Sequence, residues 1–294
     1  MKKLYLITIL LASFLFLSPG IFEKKVDFIK ARNKNVCKIL KDDVLVYVVF
    51  VSNKTNRPFL ENDILSTMDS INVAVKWLNE QALLNKTSIT IRTGFHMDDN
   101  YATVRRELPG GSVAESASKP NFNEGIKNIN DWADYICKRI GSSIEIEEKP
   151  GIPQINNPRD KEGFIAYLRD LYKVESVALL FMVNNYFVDD MSLAINTMSN
   201  SEVEFAIISY KYPSVIAHNI LHLFGAADLD ISYLRTNEKN VEISNKFFPK
   251  DIMQKVEKQN IREYNIGEFT AYLIGWKDKL DAKYKPLLED KRNK

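Results

Sequence analysis

The chain has 294 residues, of which 45% are hydrophobic and 27% are charged. This balance is ordinary for a globular protein, and the length allows a substantial buried core. The formal net charge of +2 is close to neutral, so nothing in the charge favours a nucleic acid as a partner.

The first twenty residues are typical of a secretory signal peptide. A basic start, "MKK", precedes an apolar run of fifteen residues, and the small residues Ser18 and Gly20 lie at the end of the run. We therefore predict a signal peptide over residues 1–20 and an exported protein, periplasmic or secreted. The alternative is an uncleaved segment that anchors the protein in a membrane, although a full span needs about 20 apolar residues.

The segments after this run alternate between strand and helix. Residues 21–41 are rich in lysine and are predicted to be a linker. A run of β-branched and aromatic residues at 44–52 indicates a buried strand. Apolar residues at helical spacing predict a helix over 61–85, and the alternating segment 88–95 predicts a second strand. Strand, helix and strand in this order suggest a βαβ unit.

Two breaks rich in Asp, Asn, Pro and Gly, near 97–120 and 141–158, are predicted to be insertions. Elsewhere the apolar spacing predicts helices at 123–141 and 159–173, strands at 176–183 and 203–209, and an irregular segment at 184–200. Because strand periodicity resumes after each break, we predict one α/β domain over residues 42–276. A charged, solvated tail is predicted at 277–294.

The segment from Pro213 to Asp228, "PSVIAHNILHLFGAAD", carries the strongest signal for chemistry. Pro213 suits the first turn of a helix, on which His218 and His222 are one turn apart and project on the same side. Gly225 can end that helix in the left-handed conformation. The chain can then reverse and bring the Asp228 carboxylate to the two imidazoles. Two nitrogens and one oxygen suit zinc and leave the fourth position open for water, as a catalytic site requires.

Other acidic and histidine side chains are candidates for the same site. Asp230 could be the ligand in place of Asp228. His96, placed after the second predicted strand, could approach the cleft, and the loop residues Asp189 and Asp190 could bind a cation. The alternative to any metal site is a core helix on which two histidines are exposed by chance.

With these residues, the sequence resembles the metzincin zinc metallopeptidases. Their pattern is H-E-x-x-H-x-x-G-x-x-H, with aspartate as the last ligand in some members, followed by a methionine turn. "HNILHLFGAADL" matches it in the aspartate variant, and "FFPKDIMQ" resembles the methionine turn, with Met253 beneath the ligands. The resemblance implies an α/β (α+β) fold with a mixed twisted sheet, a backing helix, an active-site helix, the turn and a C-terminal helix at "IGEFTAYLIGW". It also implies bound zinc and a peptide or protein in the cleft.

Two positions depart from the pattern. Asn219 replaces the glutamate that accepts a proton from the zinc-bound water, and an amide does not titrate near neutral pH. Lys255 replaces a tyrosine that touches zinc in some members. We therefore expect a zinc-binding pseudopeptidase with impaired or absent hydrolysis. Two alternatives stay open, an active metallopeptidase that uses another general base and an exported binding protein with a chance motif.

The chain has two cysteines, Cys37 and Cys137. In an exported protein they could form one disulfide. Two separate thiols are the alternative, because geometry decides whether a pair can be bridged.

Export is tested on the native host. Fractionation should place the protein outside the cytoplasm, and mass spectrometry should show a new N-terminus near Ile21, since the basic and apolar segment ends at Gly20. A cytosolic protein that begins at Met1 would contradict this prediction.

Overall fold

The computed structural model describes most of the chain after the N-terminal segment. The described residues are 25–34, 36–37, 39–52, 58–96, 104–108, 122–144, 158, 160–184, 192–195, 203–209, 211–232, 234–255 and 260–291. The predicted signal peptide at 1–20, the residues Asp189 and Asp190, and most of the two predicted insertions lie outside them.

A mixed sheet of six strands forms the centre of the protein. Its strands are β2 (Asp42–Ser52), β3 (Ile89–His96), β4 (Val104–Arg105), β5 (Ser176–Val183), β6 (Ser192–Ile195) and β7 (Phe205–Ile208). They lie in the order β3-β2-β5-β7-β6, and the short β4 pairs with the end of β2. Every pairing is parallel except that of β6 with β7. The prediction of an α/β chain with a mixed sheet is confirmed.

Seven α-helices are assigned among the described residues. They are α1 (Phe28–Arg32), α2 (Glu61–Leu84), α3 (Phe122–Gly141), α4 (Lys161–Tyr172), α5 (Pro213–Leu223), α6 (Glu238–Phe247) and α7 (Glu268–Leu273). Two 3-10 helices, Ile261–Glu263 and Ala282–Leu288, complete the helical segments.

Both faces of the sheet are buried. Along β2, the side chains of Val44, Val46 and Val48 pack with α2, α5 and α7, whereas those of Leu45 and Val49 pack with α3 and α4. This alternation follows from the two-residue period of a strand. A strand covered by helices on both faces is apolar throughout, which explains why β2 could be recognised as a continuous apolar run.

The prediction that residues 21–41 form a linker is wrong for the residues of this segment that the structure describes. Its residues Lys25–Asp27 form strand β1, and α1 follows directly, with Asp27 capping the helix by accepting from Lys30 N at 2.8 Å. Phe28 is buried in the core. The lysines of this segment alternate with apolar residues that face inward, so its overall composition did not reveal that it packs.

The prediction that residues 277–294 form a solvated tail is also wrong. Its residues Glu289–Lys291 form strand β8, which pairs antiparallel with β1. Tyr284 and Leu287 are buried. The two ends of the described chain therefore close on each other and pack against the domain.

A buried ion pair holds strand β8 against the domain. Arg235 and Asp290 side chains are both 0% exposed, with Arg235 Nη1 and Asp290 Oδ2 3.3 Å apart. Asp290 also accepts hydrogen bonds from Thr236 N at 3.1 Å and from Asn237 N at 3.0 Å. Burial, opposed by the Asp290 carboxylate, lowers the pKa of Arg235 to about 10. Arg235 thus stays charged at neutral pH and depends on Asp290 for compensation.

Residues 184–200 were predicted to be irregular, and this prediction is wrong in part. Ser192–Ile195 forms strand β6 at one edge of the sheet. Four residues are too few to display a two-residue alternation, so the segment is a strand because it pairs with β7 and not because of a local pattern.

Cys37 and Cys137 are both buried free thiols. Cys37 belongs to the core on the α2 and α5 face of the sheet, and Cys137 to the core on the α3 face. The structure therefore has two separate thiols and not a disulfide between Cys37 and Cys137. Burial raises the pKa of each thiol, so neither is activated as a thiolate.

No helix within the described residues is both long enough and apolar enough to cross a membrane.

Replacing Asp290 tests the buried pair. Asp290→Ala should lower the free energy of unfolding by about 3–5 kcal/mol, because Arg235 would be left buried and uncompensated. Glu289→Ala is the control in the same strand. Glu289 forms an exposed pair with Lys25 at 3.8 Å, and an exposed pair contributes only about 0–1 kcal/mol. Equal losses in the two variants, measured by denaturant unfolding, would contradict the prediction.

Candidate metal centre

Helix α5 carries the two histidines and is held in the core. Pro213 occupies its first turn, and the preceding Tyr212 has an extended backbone. The helix packs against α2, β6 and β7. The apolar side chains Ile216 and Ile220 are fully buried. This packing fixes the rotation of the helix, so His218 and His222 project from one defined side.

Gly225 is required after this helix for two reasons. Its φ is +92°, in the left-handed region that favours glycine. A Cβ at this position would also lie 2.6 Å from Cγ of Arg32, which crosses over the glycine. Arg32 donates from Nη1 to Leu273 O at 2.9 Å, in the last turn of α7. The sequence predicted the helix end at Gly225, and the structure adds the close approach of helix α1.

His218, His222 and Asp228 come together at the end of α5. The Nε2 atoms of the two histidines are 2.9 Å apart. Oδ1 of Asp228 lies 3.2 Å from Nε2 of His222 and 3.6 Å from Nε2 of His218. Within the part of the chain that the structure describes, these residues form a group whose ligand atoms lie within 4.8 Å of one another and could hold a metal ion.

The other ring nitrogens determine what these atoms can do. His218 Nδ1 lies 3.0 Å from Ile252 O, and His222 Nδ1 lies 2.9 Å from Ala226 O. A carbonyl oxygen only accepts, so each Nδ1 carries the hydrogen and donates it. In the neutral imidazoles, each Nε2 therefore presents a lone pair. Backbone carbonyls that orient histidines in this way are typical partners of metal ligands.

Three potential ligand atoms thus face one another at the end of α5. Zinc bonds of about 2.0–2.2 Å in a tetrahedral site place neighbouring ligand atoms about 3.3 Å apart. The three observed separations, 2.9, 3.2 and 3.6 Å, lie on both sides of that value. A single bound cation would satisfy all three atoms at once.

The pKa values of the three side chains reflect the same crowding. Burial, and the second imidazole, lower the pKa of His218 to about 4. Burial also acts to lower the pKa of His222, but the Asp228 carboxylate outweighs it and raises that pKa. For Asp228, burial acts to raise the pKa, and the two histidines overcome it and lower the pKa. Asp228 is thus a carboxylate and His218 a neutral imidazole at neutral pH, which are the forms that bind metals.

The backbone at Asp228 is fixed from two directions. Its carbonyl oxygen accepts from Nε of Arg235, and the next amide, Leu229 N, donates to Met253 O at 2.8 Å. The Asp228 carboxylate also accepts a hydrogen bond from the Ser232 side chain. The side chains of the two histidines are 14% exposed and that of Asp228 is 31% exposed. A bound ion would therefore be supported from within and reachable from solvent.

Met253 is fully buried in a turn that contacts the site, because Ile252 O lies 3.0 Å from His218 Nδ1 and Met253 O accepts from Leu229 N. Asp251, in the same turn, accepts from Met253 N and from Gly267 N, each at 2.8 Å. Burial raises the pKa of Asp251 to about 6. Asp251 therefore joins the turn to the start of α7. Sequence reasoning missed this residue, although an aspartate two positions before an apolar residue is a signal for an Asx-turn.

Asn219 is 1% exposed and is committed to structural hydrogen bonds. Its Nδ2 donates to Ser192 Oγ at 2.7 Å and to Val215 O at 2.8 Å. It therefore ties α5 to the edge strand β6. Both amide hydrogens are used in these contacts, and the amide offers no group that can take up a proton near neutral pH.

The other predicted candidates lie apart from the three ligand atoms. Asp230 accepts from the neighbouring Ile231 N at 2.8 Å and is not part of the group. His96 ends strand β3, which lies four strand positions from β6, a distance of roughly 19 Å across a sheet. Of the two readings of His96 left open by the sequence, strand order thus favours the one without a role in the site, because β3 lies at the opposite edge from β6. Lys255 contributes its carbonyl oxygen, which accepts from the Tyr264 hydroxyl at 3.5 Å.

A scan against models of protein families finds no match, and a search of curated proteins finds no similar sequence.

Proposed function

We propose that the protein binds one zinc ion through His218, His222 and Asp228 in a metzincin-like fold. The observation that carries this proposal is the meeting of two imidazole Nε2 atoms and one carboxylate oxygen within 4.8 Å of one another, with both Nδ1 atoms held by backbone carbonyls. Nitrogen and oxygen ligands in this number suit zinc and leave a fourth position for water.

The order of elements supports the metzincin-like assignment. A long helix backs a mixed sheet, the helix with both histidines follows the strand β7, and the turn at Met253 leads to the final helix α7. The turn also contacts the site, because Ile252 O accepts from His218 and Met253 O accepts from Leu229 N. These are the elements that the resemblance to metzincins implies, in the same order.

Hydrolysis of peptides is proposed to be impaired or absent. At the position of the general base, Asn219 is buried and donates to Ser192 and Val215. Loss of a general base typically costs about 10²–10⁴ in rate. The protein would then bind a peptide or protein in the cleft beside β6 and release it unchanged. Such a pseudopeptidase, exported by its N-terminal segment, could sequester a peptide or regulate an active relative.

Zinc content tests the metal site. The mature protein should co-purify with about one equivalent of zinc. The His218→Ala variant should contain no zinc, because one of the two histidine ligands is lost. The third histidine of the chain provides a matched control, since His96→Ala should retain the zinc. Wild-type protein that is free of metal and takes up no added zinc would contradict the proposal.

Residue 219 tests the loss of catalysis. Asn219→Glu should raise the turnover of a mixed peptide library by about 10²–10⁴ over wild type, because a carboxylate beside zinc-bound water can accept its proton. A carboxylate cannot donate to Val215 O, so it should leave that contact and turn toward the metal. Zinc content should stay unchanged.

Asn219→Gln is the matched control, with the length of glutamate and no ionisable group, and should remain as slow as wild type. Wild type that is already as fast as Asn219→Glu would show that another group serves as the base. Bound zinc without turnover in any of the three proteins would favour a binding role for the cleft.

A further inference from the structure

The guanidinium of Arg235 links the candidate metal centre to the C-terminal strand. Its Cζ atom lies 5.1 Å from the ring centroid of Phe28 and 5.9 Å from that of Phe269. Its three nitrogens donate in three directions: Nε to Asp228 O, Nη1 to Asp290 Oδ2 at 3.3 Å, and Nη2 to Leu287 O at 3.2 Å. Side chains from both ends of the chain therefore surround one buried cation.

Arg235 acts on the peptide group that immediately follows the candidate ligand. The carbonyl of that group belongs to Asp228 and accepts from Arg235, while its amide belongs to Leu229 and donates to Met253 O. A peptide group is planar, so a donor on one side and an acceptor on the other fix its rotation. The direction in which the Asp228 side chain leaves the backbone is thereby fixed as well.

Asp290 keeps Arg235 in this position. Its Oδ2 accepts from Arg235 and from Asn240 Nδ2 at 2.9 Å, and its Oδ1 accepts from the amides of Thr236, Asn237 and Lys291. A planar guanidinium donates along fixed directions. Movement of strand β8 would therefore be transmitted through Asp290 and Arg235 to Asp228.

We propose that Arg235 is a positioning residue of the metal centre, and that strands β1 and β8 set its metal affinity through Asp290. This proposal rests on the zinc site proposed above. It predicts coupling in both directions, because a contact that favours metal binding is itself stabilised when the metal binds.

The zinc dissociation constant, measured by competition with a chromophoric chelator, tests the proposal. Arg235→Met should weaken zinc binding by about 10–100-fold, the range found for partners that orient metal ligands. Lys161→Met is the matched control. Lys161 is also a buried cation, paired with Asp134 at 2.8 Å, and it lies in helix α4 on the opposite face of the sheet. It should leave zinc affinity at the wild-type value even if it lowers stability.

Arg235→Lys provides a milder variant if Arg235→Met does not fold. Lysine keeps the charge beside Asp290 but has no planar fork to reach Asp228 O at the same time, so zinc binding should again weaken. Hydrogen exchange on the wild type adds a measurement that needs no variant. Saturating zinc should slow exchange at the amides of Thr236, Asn237 and Lys291, and should leave helix α3 unchanged.

The outcomes are distinguishable. Unchanged zinc affinity in a folded Arg235 variant, an equal loss in Lys161→Met, or no change in exchange at Lys291 would each overturn the positioning role while leaving the zinc site intact. Wild-type protein that binds no zinc would overturn both the metal site and the role of Arg235.

Discussion

The arrangement of this site depends on one electrostatic constraint. Nε2 of His218, Nε2 of His222 and Oδ1 of Asp228 lie 2.9–3.6 Å apart and face one another. The carbonyls of Ile252 and Ala226 hold the Nδ1 atoms, so both rings turn Nε2 toward the Asp228 carboxylate. The buried carboxylate needs positive charge beside it, and it raises the pKa of His222, which favours the charged form of that imidazole. A bound metal ion would supply the positive charge instead, without disturbing the hydrogen bonds behind the rings.

The rest of the domain maintains this arrangement through contacts that reach far along the chain. The turn at Asp251–Met253 provides Ile252 O for His218 and Met253 O for the amide after Asp228. Arg32, from the first helix, passes over Gly225 and binds the end of the last helix. Residues near both ends of the described chain therefore support the segment that carries His218, His222 and Asp228.

Sequence reasoning succeeded where one local pattern decides the structure. The apolar run of β2, the spacing of α2 and the helix end at Gly225 each follow from residues close together in the sequence. Sequence reasoning failed where residues that are far apart in the sequence determine the structure. Nothing near Asp290 reveals that it neutralises Arg235, and Ser192–Ile195 is too short to show a period. The segment around Phe28 was predicted to be a linker and the segment around Asp290 a solvated tail, because their lysines outnumber the few residues that face inward. Whether His96 reaches the site could not be decided from the sequence, because strand order across a sheet cannot be read from one chain position.

X-ray absorption at the zinc edge of the purified mature protein measures the central claim most directly. If His218, His222 and Asp228 hold zinc, the spectrum will show a four-coordinate site with two imidazole nitrogens at about 2.0–2.1 Å, oxygen ligands at about 2.0–2.2 Å and no sulfur. In the His222→Ala variant the imidazole scattering should be lost together with the tightly bound zinc. A zinc site containing sulfur, or a six-coordinate shell of oxygens without imidazole, would rule out the proposed site, because neither can be built from His218, His222 and Asp228.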